Sequence, residues 1–376
     1  MTDAAQPPQA APTGTPQERL SELVANRRVL VCCGSGGVGK TTTAAVLAME
    51  AARQGRRAVV VTIDPARRLA DALGLESLTN AASTIESDWP GRMSALMLDT
   101  EKTFDGLVAR YANDAEQADR ILSNRFYRNI AGALSGTQEY MASEKLYELH
   151  AETDFDLVVV DTPPTRNALD FLEAPRQLAN FLDHRLYRML TAPTRGIVKA
   201  VNMAAQGFLR SVGKVVGGEV IGDAIAFFAA FEGMEEGFKD RARAVDALLR
   251  ADETAFLLIA SPNADTVGEA TFFAEELHRQ HIEVRGLVVN RMFPDPGPGS
   301  PAADEERAHT LAGTPLGEQY HVLAGIRRVA KGEAANLAAL EERIAPAPVC
   351  RVPFLPFEVH DLDTLAAFGD RLFGRS

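Results

Sequence analysis

Val29-Leu-Val-Cys-Cys-Gly34-Ser-Gly-Gly-Val-Gly39-Lys40-Thr41-Thr42-Thr43 is the stretch from which the rest of the chain can be read. Five residues suited to a buried β-strand run into glycines, then a lysine, then threonines that open an Ala-rich helical pattern. Gly34 to Thr41 satisfies G-x-x-x-x-G-K-[ST] without a mismatch. Glycines let backbone N–H groups curl around phosphate oxygens, and the start of the following helix adds partial positive charge. Lys40 suits the β- and γ-phosphates as a catalytic cation, and the Thr41 hydroxyl suits Mg²⁺. The expected nucleotide contacts are Gly34, Ser35, Gly36, Gly37, Val38, Gly39, Lys40, Thr41 and Thr42.

A rival pattern overlaps this one. Gly34, Gly36 and Gly39 also satisfy G-x-G-x-x-G, and Asp64 ends the next strand, near where a dinucleotide fold places its ribose-binding acid. Lys40-Thr41 separates the two. A dinucleotide fold has no use for an ammonium and a hydroxyl at the first helical turn, whereas a magnesium triphosphate needs both.

Composition narrows the class further. The chain has 376 residues, 46% hydrophobic and 24% charged, the profile of an ordinary globular protein of one large or two smaller domains. A net charge of −12 argues against nucleic acid or an anionic membrane surface as main partner. Cys32, Cys33 and Cys350 form no C-x-x-C, so neither a disulfide framework nor a zinc site is expected, and the setting reads as reducing cytosol. Residues 1–18, with Pro7, Pro8, Pro12 and Pro16 among Ala, Gln and Thr, read as a disordered tail without a signal-peptide pattern. No run of about 18 apolar residues occurs, so no membrane span is expected.

Working outward, Thr41–Arg53 reads as a helix stopped by Gly55. Buried β-strands are expected at Ala58–Ile63, Met93–Leu98, Leu157–Val160, Phe256–Ala260, Leu287–Val289 and Val349–Phe354. Their alternation with helices predicts an α/β fold of the P-loop NTPase type, a doubly wound, mostly parallel sheet over residues 19–376. Helical insertions are expected at about 103–150 and 165–250, forming an inserted helical subdomain. Gly34–Thr41, Asp64, Asp161 and Asn290 all fall at carboxyl ends of strands, where such sheets bind ligands. Asp161 is the expected second Mg²⁺ ligand beside Thr41. Asp64 is placed to orient or activate the attacking water. Asn290 suits an adenine edge or, equally, a turn. Pro294–Pro301 reads as a flexible surface loop, Asp304–Glu306 as a solvated acidic run, and His278 with His281, at i and i+3 of an expected helix with no third ligand near in sequence, as surface histidines.

Taken together, the order of Gly34–Thr41, Asp64-Pro65-Ala66, Gly136-x-x-Glu139, Asp161-Thr162-x-Pro164-Thr165, Val289-Asn290-Arg291 and Pro353…Glu358-Val359 resembles the anion-transporting ATPase family. That family contains the arsenite-pump ATPase and the factor that delivers tail-anchored proteins to membranes. The resemblance implies that Asp64 lies in switch I, that Asp161–Thr165 forms switch II, and that Asn290 and the Pro353 loop surround adenine. It also implies a homodimer or a dimer with a related subunit, with paired ATP sites whose hydrolysis drives opening and closing. Three features depart from the family. Ser35 stands where a lysine usually reaches across the dimer to the partner's ATP, and Arg166-Asn167 stands where Gly-His is common. The third departure is in the cysteines: the pair that bridges zinc in the eukaryotic targeting factors is missing, and no clustered thiols suit arsenite.

The helical intervals carry apolar stripes, Ile197, Val201, Ala204, Phe208 and Val212 and then Ile221, Ile225, Phe228 and Phe231, with Met234 beyond. Ordinary core packing accounts for them, and so does a groove for a client helix. The expected function is a cytoplasmic, Mg²⁺- and ATP-dependent dimeric switch that handles a hydrophobic protein client or membrane partner. The alternatives are an ATPase subunit energising an anion transporter and a partition- or MinD-type organiser.

Overall fold

A computed structural model describes residues 13–64, 67–125, 127–128, 137–163, 166–184, 223, 226–227 and 229–375. At its centre is β1 (Val29–Cys33), flanked in sequence order by β2 (Arg57–Thr62), β3 (Ser83–Ile85), β4 (Arg92–Met97), β5 (Leu157–Asp161), β6 (Thr254–Ala260), β7 (Val284–Met292) and β8 (Val349–Pro353). These strands form one eight-stranded sheet in the order β3-β4-β2-β5-β1-β6-β7-β8. Every pairing is parallel except β3 with β4, an edge strand that its short sequence does not announce.

Every residue of β1, β5 and β6 is buried, because helices cover both faces. Alternation along β1 divides the layers: Leu30 and Cys32 face one core, Val29, Val31 and Cys33 the other. The first core packs against α1 (Pro16–Asn26), α2 (Lys40–Arg53), α3 (Arg68–Ala72) and the C-terminal helix Leu362–Leu372. A separate aromatic cluster away from the sheet, including Tyr127, Phe231 and Phe238, joins α4 (Thr100–Tyr111) and α5 (Ala115–Leu122) to Glu235–Arg250. Further helices are α6 (Thr137–Ala151), α7 (Arg166–Asp183), α8 (Glu235–Arg250), α9 (Ala264–Arg279), α10 (Pro301–Thr310), α11 (Pro315–Ile344) and α12 (Leu362–Leu372).

Several expectations change in detail. Of the tail expected over residues 1–18, residues 1–12 lie outside the described residues, and α1 already begins at Pro16. Thr15 caps it in a capping box with Glu18. The acidic run is not solvated at its first member: Asp304 is 1% exposed and accepts from Arg327 Nε at 2.6 Å. Arg327 also donates to the carbonyls of Gly297 and Pro298, so the proline-rich loop is exposed yet anchored. His281 sits past the end of α9 with φ of 60°, so it shares no helix face with His278. Phe231 and Met234 of the second apolar stripe are buried, whereas Ile197–Val212, Ile221, Ile225 and Phe228 lie outside the described residues.

Candidate functional site

The phosphate loop is held in place by its own glycines. A Cβ on Gly34 would overlap the Ile259 carbonyl of β6, and Gly37 and Gly39 adopt φ of +76° and +97°, which side chains disfavour. Around Gly36 and Gly37 there is open space. No side chain caps the start of α2, so its first amides remain for a ligand. Lys40, the first residue of that helix, is buried and donates to the Ser35 carbonyl at 2.8 Å. Burial pushes its ammonium below the usual lysine range, partly offset by Asp161.

Asp161 ends β5 with 1% exposure. Its Oδ2 accepts from Thr41 Oγ1 at 2.7 Å and from Thr62 Oγ1 at 2.9 Å. Its Oδ1 is buried without a hydrogen-bond partner. Burial raises this carboxyl to about 6, against the two hydroxyls and Lys40. A hard cation fits here: one buried carboxylate oxygen free to bind it, with a threonine hydroxyl on the other oxygen of the same group. Next to it, Thr162 Oγ1 donates to the Cys32 carbonyl at 2.8 Å, pinning the start of the segment after β5 to β1.

Asp64 follows β2 and is half-buried, 3.6 Å from Arg68 Nη1. Gln138 of α6 donates to the neighbouring Ile63 carbonyl at 3.2 Å. Glu139 is buried on the same helix. Pro65, Ala66, Gly136, Pro164 and Thr165 lie outside the described residues, as do the side chains of Arg166 and Asn167.

Asn290 does not close its strand, as the sequence suggested; β7 runs on to Met292. The register against β8 shifts between Val289 and Met292, and Arg291 takes φ of 61°. Such an irregularity re-aims side chains. Asn290 Nδ2 donates to the Val38 carbonyl at 3.0 Å and Oδ1 accepts from Arg291 N at 2.9 Å. A cleft of about 730 Å³ opens beside it, lined by Gly39, Thr42, Asn290, Arg291 and the segment Phe354–Val359. Pro353 is the last residue of β8 and is not part of that lining, which begins one residue later at Phe354.

Thus the structure brings Gly39, Lys40, Thr41, Asp161 and Asn290 together, with Asp64 half-buried just past the end of β2. Three residues of the site were not anticipated. Thr62 was hidden in a β-branched run, its hydroxyl beside Asp64 the only signal. Phe354 and Phe357 were signalled by aromatics around Pro356 just past the last strand.

Among the described residues, no helix is long and apolar enough to cross a membrane. A family model described as anion-transporting ATPase matches residues 27–308. The chain is 23% identical to "ATPase get3" of Schizosaccharomyces pombe over 343 residues, covering 90% of this chain and 89% of that one. It is 24% identical to "ATPase get3" of Aspergillus terreus, over 90% and 88% of the two chains. With "ATPase GET3" of Chaetomium globosum it shares 26% identity over 70% and 73%. Its mostly parallel sheet and glycine-lysine-threonine loop are those of a P-loop NTPase, and the chain belongs to the anion-transporting ATPase family.

Proposed function

We propose that this protein is a cytoplasmic ATPase that binds Mg-ATP and works as a dimeric switch, coupling its nucleotide state to the handling of a hydrophobic protein client. The observation that carries the nucleotide chemistry is the Thr41–Asp161 contact of 2.7 Å with Asp161 Oδ1 left unpartnered. The amides of Gly34–Thr41 and Lys40 would hold the phosphates, Thr41 and Asp161 the magnesium ion, and Asn290 with Phe354–Val359 the base. Mg-ATP supplies the phosphoanhydride bond, which water splits into ADP and phosphate. Asp64, two residues past the end of β2, would orient that water through its carboxylate. Buried Lys40 offers its ammonium to developing charge with little competing water. The relatives named ATPase get3 support an ATPase, and the family's targeting branch motivates the hydrophobic client.

The test has two arms. Lys40→Ala and Asp161→Asn should each lower ATP hydrolysis by about a hundredfold or more, on the scale of losing one preorganised electrostatic contact. Capture of an apolar helical peptide should differ between a non-hydrolysable ATP analogue and ADP, with the protein sedimenting as a dimer in at least one state. Identical capture in both states rules out the client switch; unchanged hydrolysis in both variants rules out the catalytic assignment.

A further inference from the structure

Thr62 is the last residue of β2, and the parallel register sets it directly opposite Asp161, the last residue of β5. Both are about 98–99% buried. A threonine hydroxyl has one proton to give and lone pairs to receive. Here the two roles are assigned by the neighbours. The Asp161 carboxylate can only accept, so Thr62 Oγ1 donates to its Oδ2 at 2.9 Å, and the backbone N–H of Asp64 donates to Thr62 Oγ1 at 3.3 Å. One hydroxyl therefore joins two strand ends whose acids have different tasks in the proposed ATPase cycle.

The second hydroxyl on Asp161 Oδ2 comes from Thr41, at 2.7 Å. In the proposed function Thr41 also serves the magnesium ion, so the position of its hydroxyl follows the bound ligand as well as the carboxylate. Thr62 has no competing duty. It sits on a strand, not on the phosphate loop, and its side chain is fixed by β-branching and burial. It also settles which oxygen is available. With Oδ2 holding Thr62, Oδ1 is the oxygen left without a partner.

We infer that Thr62 is a positioning residue for the hydrolytic reaction: its hydroxyl fixes the rotation of the Asp161 carboxylate so that Oδ1 faces the metal position, and it ties the Asp64 backbone to that setting. This rests on the Mg-ATP reading above. The chain from Asp161 to Thr62 to Asp64 makes the geometry at the metal and the geometry at the attacking water one setting, not two. Thr41 remains free to change partner without releasing the acid.

The experiment compares Thr62→Val, which keeps shape and removes the hydroxyl, with Thr62→Ser, which keeps the hydroxyl and removes a methyl. Fluorescent ADP is titrated into the full chain in EDTA and at increasing Mg²⁺, and hydrolysis is measured alongside. Thr62→Val should bind ADP in EDTA within about twofold of wild type. It should need about tenfold more Mg²⁺ for the half-maximal effect and lose about tenfold in kcat, the scale of one hydrogen bond to a charged group. Thr62→Ser should return both to within about threefold. If packing were the role of Thr62, the serine variant would be the worse of the two, and the inference is overturned. It is equally overturned if Thr62→Val titrates with Mg²⁺ like wild type. A wild-type protein whose ADP binding ignores Mg²⁺ overturns the underlying reading instead, and the two failures are told apart by that control.

Discussion

Gly39 and Asn290 approach so closely that a Cβ on residue 39 would overlap Asn290 Nδ2. The amide that fills this space donates to the Val38 carbonyl at 3.0 Å, so a residue from β7 braces the phosphate loop from below. The phosphate loop and the neighbouring cleft are thereby one unit: Gly39 and Asn290 both line the cleft.

Gly39→Ala should therefore fail twice, through its φ of +97° and through the collision. We expect a loss of about 1–3 kcal/mol in stability. Nucleotide binding should weaken by about tenfold or more, equivalent to about 1.4 kcal/mol. Adding Asn290→Ala removes the collision but not the backbone strain, so the double variant should recover part of the stability. Thermal unfolding of the two single variants and the double variant measures the coupling.

Ser35 bears on turnover. It is buried, its hydroxyl has no hydrogen-bond partner, and its carbonyl receives Lys40. A cation supplied across an interface is worth about 10³–10⁵ in related phosphoryl transfer. The isolated chain should hydrolyse ATP slowly, and addition of a related subunit bearing the lysine should accelerate it. Steady-state phosphate release checks this; brisk turnover by a monomer would sink the idea.

Buried Asp304 pairs with part-buried Arg327, which also anchors the loop after β7 through Gly297 and Pro298. Asp304→Ala leaves the guanidinium without its carboxylate and should cost about 3–5 kcal/mol. Replacing both partners, Asp304→Ala with Arg327→Met, should recover a good part of that loss. Denaturant melts of the three variants decide it.

Acid should withdraw the stabilisation that two arginines give through Glu152. Arg110 and Arg241 hydrogen-bond Glu152, Arg110 contributing most, and hold its carboxyl down to about 2 from an ordinary 4.5. A carboxyl depressed in the folded state stabilises above its unfolded value and loses that contribution as pH falls towards the folded one. The stabilisation is therefore full above about pH 5 and drains away between about 4.5 and 2. Glu152→Gln should melt lower than wild type at pH 7, and the two curves should converge as pH approaches 2. Parallel curves over that range would count against the ion pairs.

How much of this was legible beforehand differs from residue to residue. Gly34–Thr41, Asp64 and Asp161 could be read because local chemistry forces them: a phosphate cradle needs glycine, and an acid after a buried strand lies at the ligand edge of a parallel sheet. Asp304 reads as solvated and is buried, because its local sequence is polar and featureless and its burial follows from α10 packing on α11. His278 and His281 are exposed, as surface histidines should be, but α9 ends before His281.

By itself the sequence determined the nucleotide loop, the doubly wound sheet and the family, since each depends on residue types at short spacing or on runs that can only be buried strands. Only the tertiary structure decided the joints. The register of β2 on β5 sets Thr62 against Asp161, and the irregularity of β7 on β8 turns Asn290 beneath Gly39. Pairing register and bulges belong to two strands at once, so no single stretch of chain encodes them.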